Sequence, residues 1–171
     1  LYNFVRAETD LQMKGYASAP YNGFGKFANG RKAYDVDNQV TLSGNRDTIY
    51  SFGVFDLSKS DLTITMPDSK GKYMTLMPIS QNHDVYRGLN APGTYTFKES
   101  EVGTRYMVFV IRVLMDPNDP KDMERAHKLQ DGVKVAQTDK GDLSGLQDWN
   151  KEQVLAMRKA YNILGSAAIS S

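Results

Sequence analysis

The densest polar cluster in the chain is Asn45-Arg46-Asp47-Thr48, set immediately before the hydrophobic run that opens Ile49-Tyr50. Arg46 in such a position can hold an anionic ligand, and Asp47 can act as a base. The same residue types also build a turn whose Asn and Asp side chains cap the backbone at a strand entry. The turn reading is the stronger of the two. With Tyr50 just beyond, Asn45, Arg46, Asp47 and Tyr50 make the candidate ligand-binding group. Tyr2, Tyr16, Tyr21, Tyr34, Tyr50 and Tyr73 are spread through the first half and invite a carbohydrate or aromatic ligand, although tyrosine serves strands equally well.

Much chemistry is eliminated. Cysteine is absent, which excludes disulfides, thiol catalysis and Cys-based zinc sites. His83 and His127 are the two histidines, and no HExxH, HxH, GxSxG or EF-hand pattern occurs. No metal or cofactor is expected, and no catalytic residue is assigned. His83 beside Asp84 has the makings of an oriented general base, but a polar turn explains it better. His127 reads as a partly covered surface histidine. Gly23-Phe24-Gly25-Lys26 lacks the spacing of a phosphate loop.

Two charges stand in apolar surroundings. Arg112 shares a strand face with Tyr106, Val108, Val110 and Leu114, and a guanidinium there calls for a carboxylate, with Asp56 one option. Glu8 falls near the centre of a helical stripe of Leu1, Phe4, Val5 and Leu11, while Arg6 and Asp10 point away. The projection predicts an ion pair from Glu8 to an arginine, Arg112 favoured over Arg46, tying the N-terminal helix to the sheet.

The elements that must position these residues divide the chain in three. Over 171 residues the pattern predicts a single α+β domain, mainly β. A helix fills 1–18, a β-sheet core 47–115, and two C-terminal helices 119–165. The core reads as an antiparallel, sandwich-like meander of about six strands: 48–57, 61–66, 72–79, 83–87, 94–98 and 104–115. The last is apolar on both faces and belongs in the interior. The segment from Pro20 to Leu42 is a long loop. Asp119 with Pro120 opens one C-terminal helix. Asn150 with Gln153 opens the next, which Gly165 closes. That last helix has more apolar residues than one face needs, so a second domain or a homo-oligomer partner is expected to cover it.

Lys and Arg total 21 against 20 Asp and Glu, a net charge of +1. That balance argues against nucleic acid as a partner. No apolar run is long enough for a transmembrane segment. The chain opens on Leu1 and not Met, as after removal of a leader or within a longer chain.

Several stretches resemble a bacterial family known as domain of unknown function 1254: VRAETDLQMKGY, NRDTIYSFGVFDL, ITMPDSKGKYMTLM and TRYMVFVIRVLMDPNDPKDMERAHKLQDGVKV. The most specific is Asn45-Arg46-Asp47-Thr48-Ile49-Tyr50-Ser51, which follows the family's N-x-D-T-x-Y-S signature. The resemblance implies a β-sandwich-type domain followed by helices. It implies a leader and export, hence a periplasmic or extracellular location, and a second jelly-roll-like domain after residue 171. It brings no reaction and no catalytic residue. The expectation is an exported enzyme or binding protein for a small polar or carbohydrate-like ligand, acting with a second β domain. The alternative is a non-enzymatic subunit of an extracellular or envelope assembly.

Overall fold

The computed structural model describes residues 2–35 and 45–169. Leu1 of the helical stripe and residues 36–42 of the long loop lie outside the described residues. In chain order the elements are α1 (Tyr2–Ala17), β1 (Ala28–Asn29), β2 (Thr48–Asp56), β3 (Leu62–Met66), β4 (Met74–Ser80), β5 (Leu89–Asn90), β6 (Gly93–Phe97), α2 (Glu99–Val102), β7 (Tyr106–Leu114), α3 (Pro120–Asp131), β8 (Lys134–Ala136) and α4 (Lys151–Ile169). The fold is α+β and mainly β, with an N-terminal helix, two antiparallel sheets and C-terminal helices, as the sequence pattern predicts.

One sheet runs β1-β2-β7-β4-β5 and the other β6-β3-β8. The order is not that of a simple meander, because β7 returns late in the chain to lie between β2 and β4. Its register is continuous, from Thr48↔Leu114 to Asp56↔Tyr106 on one edge and from Met74↔Val113 to Ser80↔Met107 on the other. Apolar side chains on both faces suit this central place. Met107, Phe109, Ile111 and Val113 point between the sheets, where they meet Leu62, Ile64 and Met66 of β3. Tyr106, Val108 and Val110 point outward, beneath Met13 and Ala17 of α1.

Alternation fixes β3 in the same way. Leu62, Ile64 and Met66 are buried, whereas the outward Thr63 and Thr65 hydroxyls bond to Thr96 and Thr94 across the pair with β6. These cross-strand hydroxyl pairs hold register on the wet face. The expected strand at 83–87 is a turn touching Ile79 only through a bridge at Val85. The edge pairing moves instead to Leu89–Asn90. The short β1, β8 and α2 carry too few residues to show periodicity.

The buried apolar residues of α1 are Ala7, Met13 and Ala17, whereas Phe4, Val5 and Leu11 of the expected stripe are only partly buried. Met13 and the small Ala17 lie against the sheet, Ala7 faces the groove toward α4, and the rotation takes Asp10 into the interior. Gly23 sits where β2 passes, and a Cβ there would lie 2.9 Å from the Phe52 carbonyl oxygen. Asp119 accepts from the Lys121 amide (2.9 Å), opening α3 as expected. Asn150 accepts from the Gln153 amide (3.0 Å) at the start of α4. That helix passes through Gly165, against expectation, because Ser166-Ala167-Ala168 continue it at the modest cost of one mid-helix glycine.

Candidate functional site

Asn45 and Asp47 form a turn. The Asp47 amide donates to Asn45 Oδ1 (2.8 Å), and Asn45 Nδ2 donates to Thr48 Oγ1 (3.2 Å). The Asp47 carbonyl then accepts from the Met115 amide (2.9 Å), so the turn locks the β2 entry to the end of β7. Arg46 and Asp47 rim an open cleft of about 620 Å³ with Lys72, Asp116, Asn118 and Asp122. Hydrogen bonds from Arg125, with a further one from the Asp116 amide, hold the Asp122 carboxyl down at about 2. The cleft mixes both charge signs on an open surface, and Tyr50 is not part of its lining.

Tyr50 belongs to the outer face of the five-stranded sheet. Its ring runs parallel to that of Phe52 (centroids 6.0 Å apart), which stacks on Tyr16 of α1 (4.5 Å). Arg112, opposite Tyr50 in register, lays its guanidinium over the Tyr50 ring at 5.5 Å. Among the described residues Arg112 meets neither Glu8 nor Asp56.

Glu8 instead accepts from Arg158 Nε (3.0 Å) and a second guanidinium nitrogen, so it ties α1 to α4 and not to the sheet. The rotation of α1 that buries Asp10 turns Glu8 toward the C-terminal helix. Asp56 is buried and gripped by Arg105, with Nε at 3.1 Å and a terminal nitrogen at 2.7 Å. Burial pushes the Asp56 carboxyl up, but the Arg105 guanidinium and the Ser58 and Asp142 amides outweigh it and leave the pKa below its ordinary value. Arg105 precedes β7 by one residue, where it can reach the end of β2 and also Asp142 (3.1 Å).

His83 faces Thr9 (3.1 Å), while Asp84 accepts from the Ser80 hydroxyl, so the two do not make an oriented base. His127 is partly covered and bonds to the Arg31 carbonyl. Among the described residues no group of three acidic or histidine side chains could hold a metal ion. No helix there is long and apolar enough to cross a membrane.

The site missed from sequence is a groove of about 220 Å³ between α1 and the start of α4. Phe4, Trp149 and Tyr161 give it ring surfaces, and Asn3, Asn150 and Gln153 give it amides. Phe4 and Tyr161 pack with centroids 5.0 Å apart at 57°. Trp149 Nε1 donates to Asp10 Oδ2 (2.8 Å). Asp10 Oδ1 in turn accepts from Gln81 Nε2 (2.8 Å), and Arg6 stands 3.4 Å away. The buried carboxylate thus anchors one wall of the groove to the end of β4. The sequence signal was present in two parts: the sole tryptophan, and its place just before the helix-capping Asn150. Nothing in the local pattern brings that pair to α1.

Two facing sheets, with α1 on the outer face of one and α3 packed against the core, define a β-rich α+β class, and the matched residues narrow it. The family of proteins of unknown function DUF1254 matches residues 24–137, and the chain belongs to that family. The match takes in β1 through β8, including the Asn45–Tyr50 turn, and stops before the groove residues of α4. The crystal structure of the VPA0106 protein from Vibrio parahaemolyticus has a similar fold, with a TM-score of 0.60 at 13% identity over 89% of this chain. This chain covers 41% of that one. A hypothetical protein from Leishmania major aligns over 66% of this chain and 84% of its own, at 16% identity and a TM-score of 0.23. No curated protein matches.

Proposed function

We propose that the chain binds a small, neutral, polar ring-shaped ligand of carbohydrate type in the groove between α1 and α4. The observation behind this reading is the meeting of three aromatic rings with three carboxamides in one small concavity. Rings offer flat apolar surface to the faces of a sugar ring, and each amide offers both donors and acceptors to hydroxyls. The volume suits a single ring rather than a chain of them. The Trp149–Asp10 bond holds one ring in place before any ligand arrives, which lowers the ordering cost of binding.

A second β domain acting beside this one is part of the proposal. It is supported by the length of the Vibrio chain, of which this chain covers 41%. A periplasmic or extracellular location rests on the family resemblance. The test is an amide spectrum recorded with neutral monosaccharides such as glucose and galactose. Shifts at the Trp149 indole and the Asn3, Asn150 and Gln153 side-chain amides support the reading. Shifts confined to the Arg46–Asp122 cleft would move the site there, and no shifts at all would end it.

The assembly reading is favoured by a different observation. Leu155, Met157, Ile163 and Leu164 of α4 are exposed, between 43% and 65%. Such residues suit contact with a second domain or another copy. Sedimentation showing a strict monomer at high concentration would remove the homo-oligomer.

A further inference from the structure

The sequence has eight arginines, and five of them meet a carboxylate: Arg6 with Asp10, Arg31 with Asp131, Arg105 with Asp56, Arg125 with Asp122, and Arg158 with Glu8. Arg46 and Arg87 are exposed, where water serves them. Arg112 is the exception. It is partly buried, its Nε is buried with no hydrogen-bond partner among the described residues, and no carboxylate there reaches it.

Its surroundings are apolar. In register Arg112 stands between Tyr50 of β2 and Thr75 of β4. On one side of that row are Phe52 and Met77, partly buried against the α1 cluster, and on the other exposed Leu114 and Tyr73. α1 covers the other half of this face, over Val54, Val108 and Ile79. The buried Nε–H of this half-covered guanidinium lacks an acceptor, which is costly, and an anion that supplies an oxygen offsets that cost. Tyr50 holds the guanidinium plane in place from one side.

We infer that this half of the sheet is a binding site for a small amphiphilic carboxylate, with the carboxylate on Arg112 and an apolar or aromatic body on the neighbouring exposed Leu114 and Tyr73. One planar guanidinium matches the bidentate geometry of a carboxylate. The row beside it adds the Thr75 and Tyr50 hydroxyls but no second cation, so a dianionic phosphate is poorly matched. The apolar rim selects for a hydrophobic body over a fully hydrated anion. No residue of this site lines the α1–α4 groove, so the two proposals stand or fall separately.

The test titrates the full chain with benzoate, with its neutral counterpart benzamide, and with sulfate, following the Arg112 Nε–H signal and the Thr75 and Leu114 amides. Saturable shifts at these positions with benzoate, with benzamide and sulfate at least about tenfold weaker, support the site. Loss of the shifts in Arg112→Met, with the amide spectrum otherwise native, completes the case. Equal binding of benzamide would overturn the role of the charge, and equal binding of sulfate would overturn the role of the apolar body. Absence of saturation at millimolar benzoate would overturn the site itself. These comparisons use the unmodified chain and hold even if the variant fails to fold.

Discussion

Trp149 Nε1 donates to Asp10 Oδ2 at 2.8 Å, joining residues 139 positions apart. The bond decides where α4 begins relative to α1, and with it the shape of the groove. Asp10 is nearly inaccessible, and its other oxygen is held by Gln81. Replacing Asp10 by alanine leaves the Gln81 amide and the Trp149 indole without their acceptor inside the protein. The expected loss is about 2–4 kcal/mol, from unmet buried donors and the void left behind. Urea unfolding followed by far-ultraviolet dichroism measures it. A loss under about 0.5 kcal/mol would show the network to be ornamental, since that is the range of ordinary surface changes.

The Asp56–Arg105 pair ties the end of β2 to the start of β7 and to the loop at Asp142. Removing the cation with Arg105→Met strands a buried carboxylate. Arg105 is itself 29% exposed, so water offsets part of the loss. The expected cost is about 2–3 kcal/mol at neutral pH, below the value for a fully buried pair.

Acid should reveal the same pair. The folded-state pKa of Asp56 lies below its ordinary value, and that of Asp122 lies at about 2. A depressed carboxyl contributes stability that is fully present above the unfolded value of about 3.9 and is lost as pH falls through the folded value. The melting temperature should therefore drop steeply from about pH 4 toward pH 2. The drop should be shallower in Arg105→Met, because the pair is already broken. Parallel profiles for the two proteins would contradict this.

Gly141 has φ +62°, and a Cβ there would collide with the Asp56 carboxylate. Both facts demand glycine. Gly141→Ala should destabilise by roughly 1–3 kcal/mol, from strain at positive φ and displacement of the carboxylate. Gly71 is the control. Its φ is +76°, but a Cβ would meet nothing, so Gly71→Ala should cost less by melting temperature.

The sheet was largely legible in sequence because burial imprints its own period. Leu62, Ile64 and Met66 alternate with threonines, and the two-faced apolar run at Tyr106–Leu114 marked the central strand. The non-sequential place of β7 left no trace, since strand order depends on which long-range pairing wins. Nor did the rotation of α1. A stripe read from Leu1, Phe4, Val5 and Leu11 gives no weight to Ala17, which meets the sheet beside Met13, or to Ala7, which is buried at the groove. That rotation explains the fate of three charges. Asp10 goes inward, Glu8 turns to Arg158, and Arg112 is left facing Tyr50.

The Glu8–Arg158 pair is consequently a weak one. Arg158 is 52% exposed, and an ion pair so placed is worth about 0–1 kcal/mol. Glu8→Gln should change the melting temperature slightly, far from the loss expected of a buried pair. A cost above about 2 kcal/mol would mean that the contact is shielded from water.

The proposed ligand site is the α1–α4 groove, and Trp149, which lines it, is the sole tryptophan in the sequence. Its emission therefore reports on one wall of that groove without labels. Titration with neutral monosaccharides should give a saturable change in Trp149 emission, and Tyr161→Ala should abolish the change while the fold survives. A flat titration across the sugar panel, or an unaltered response in Tyr161→Ala, would contradict this assignment.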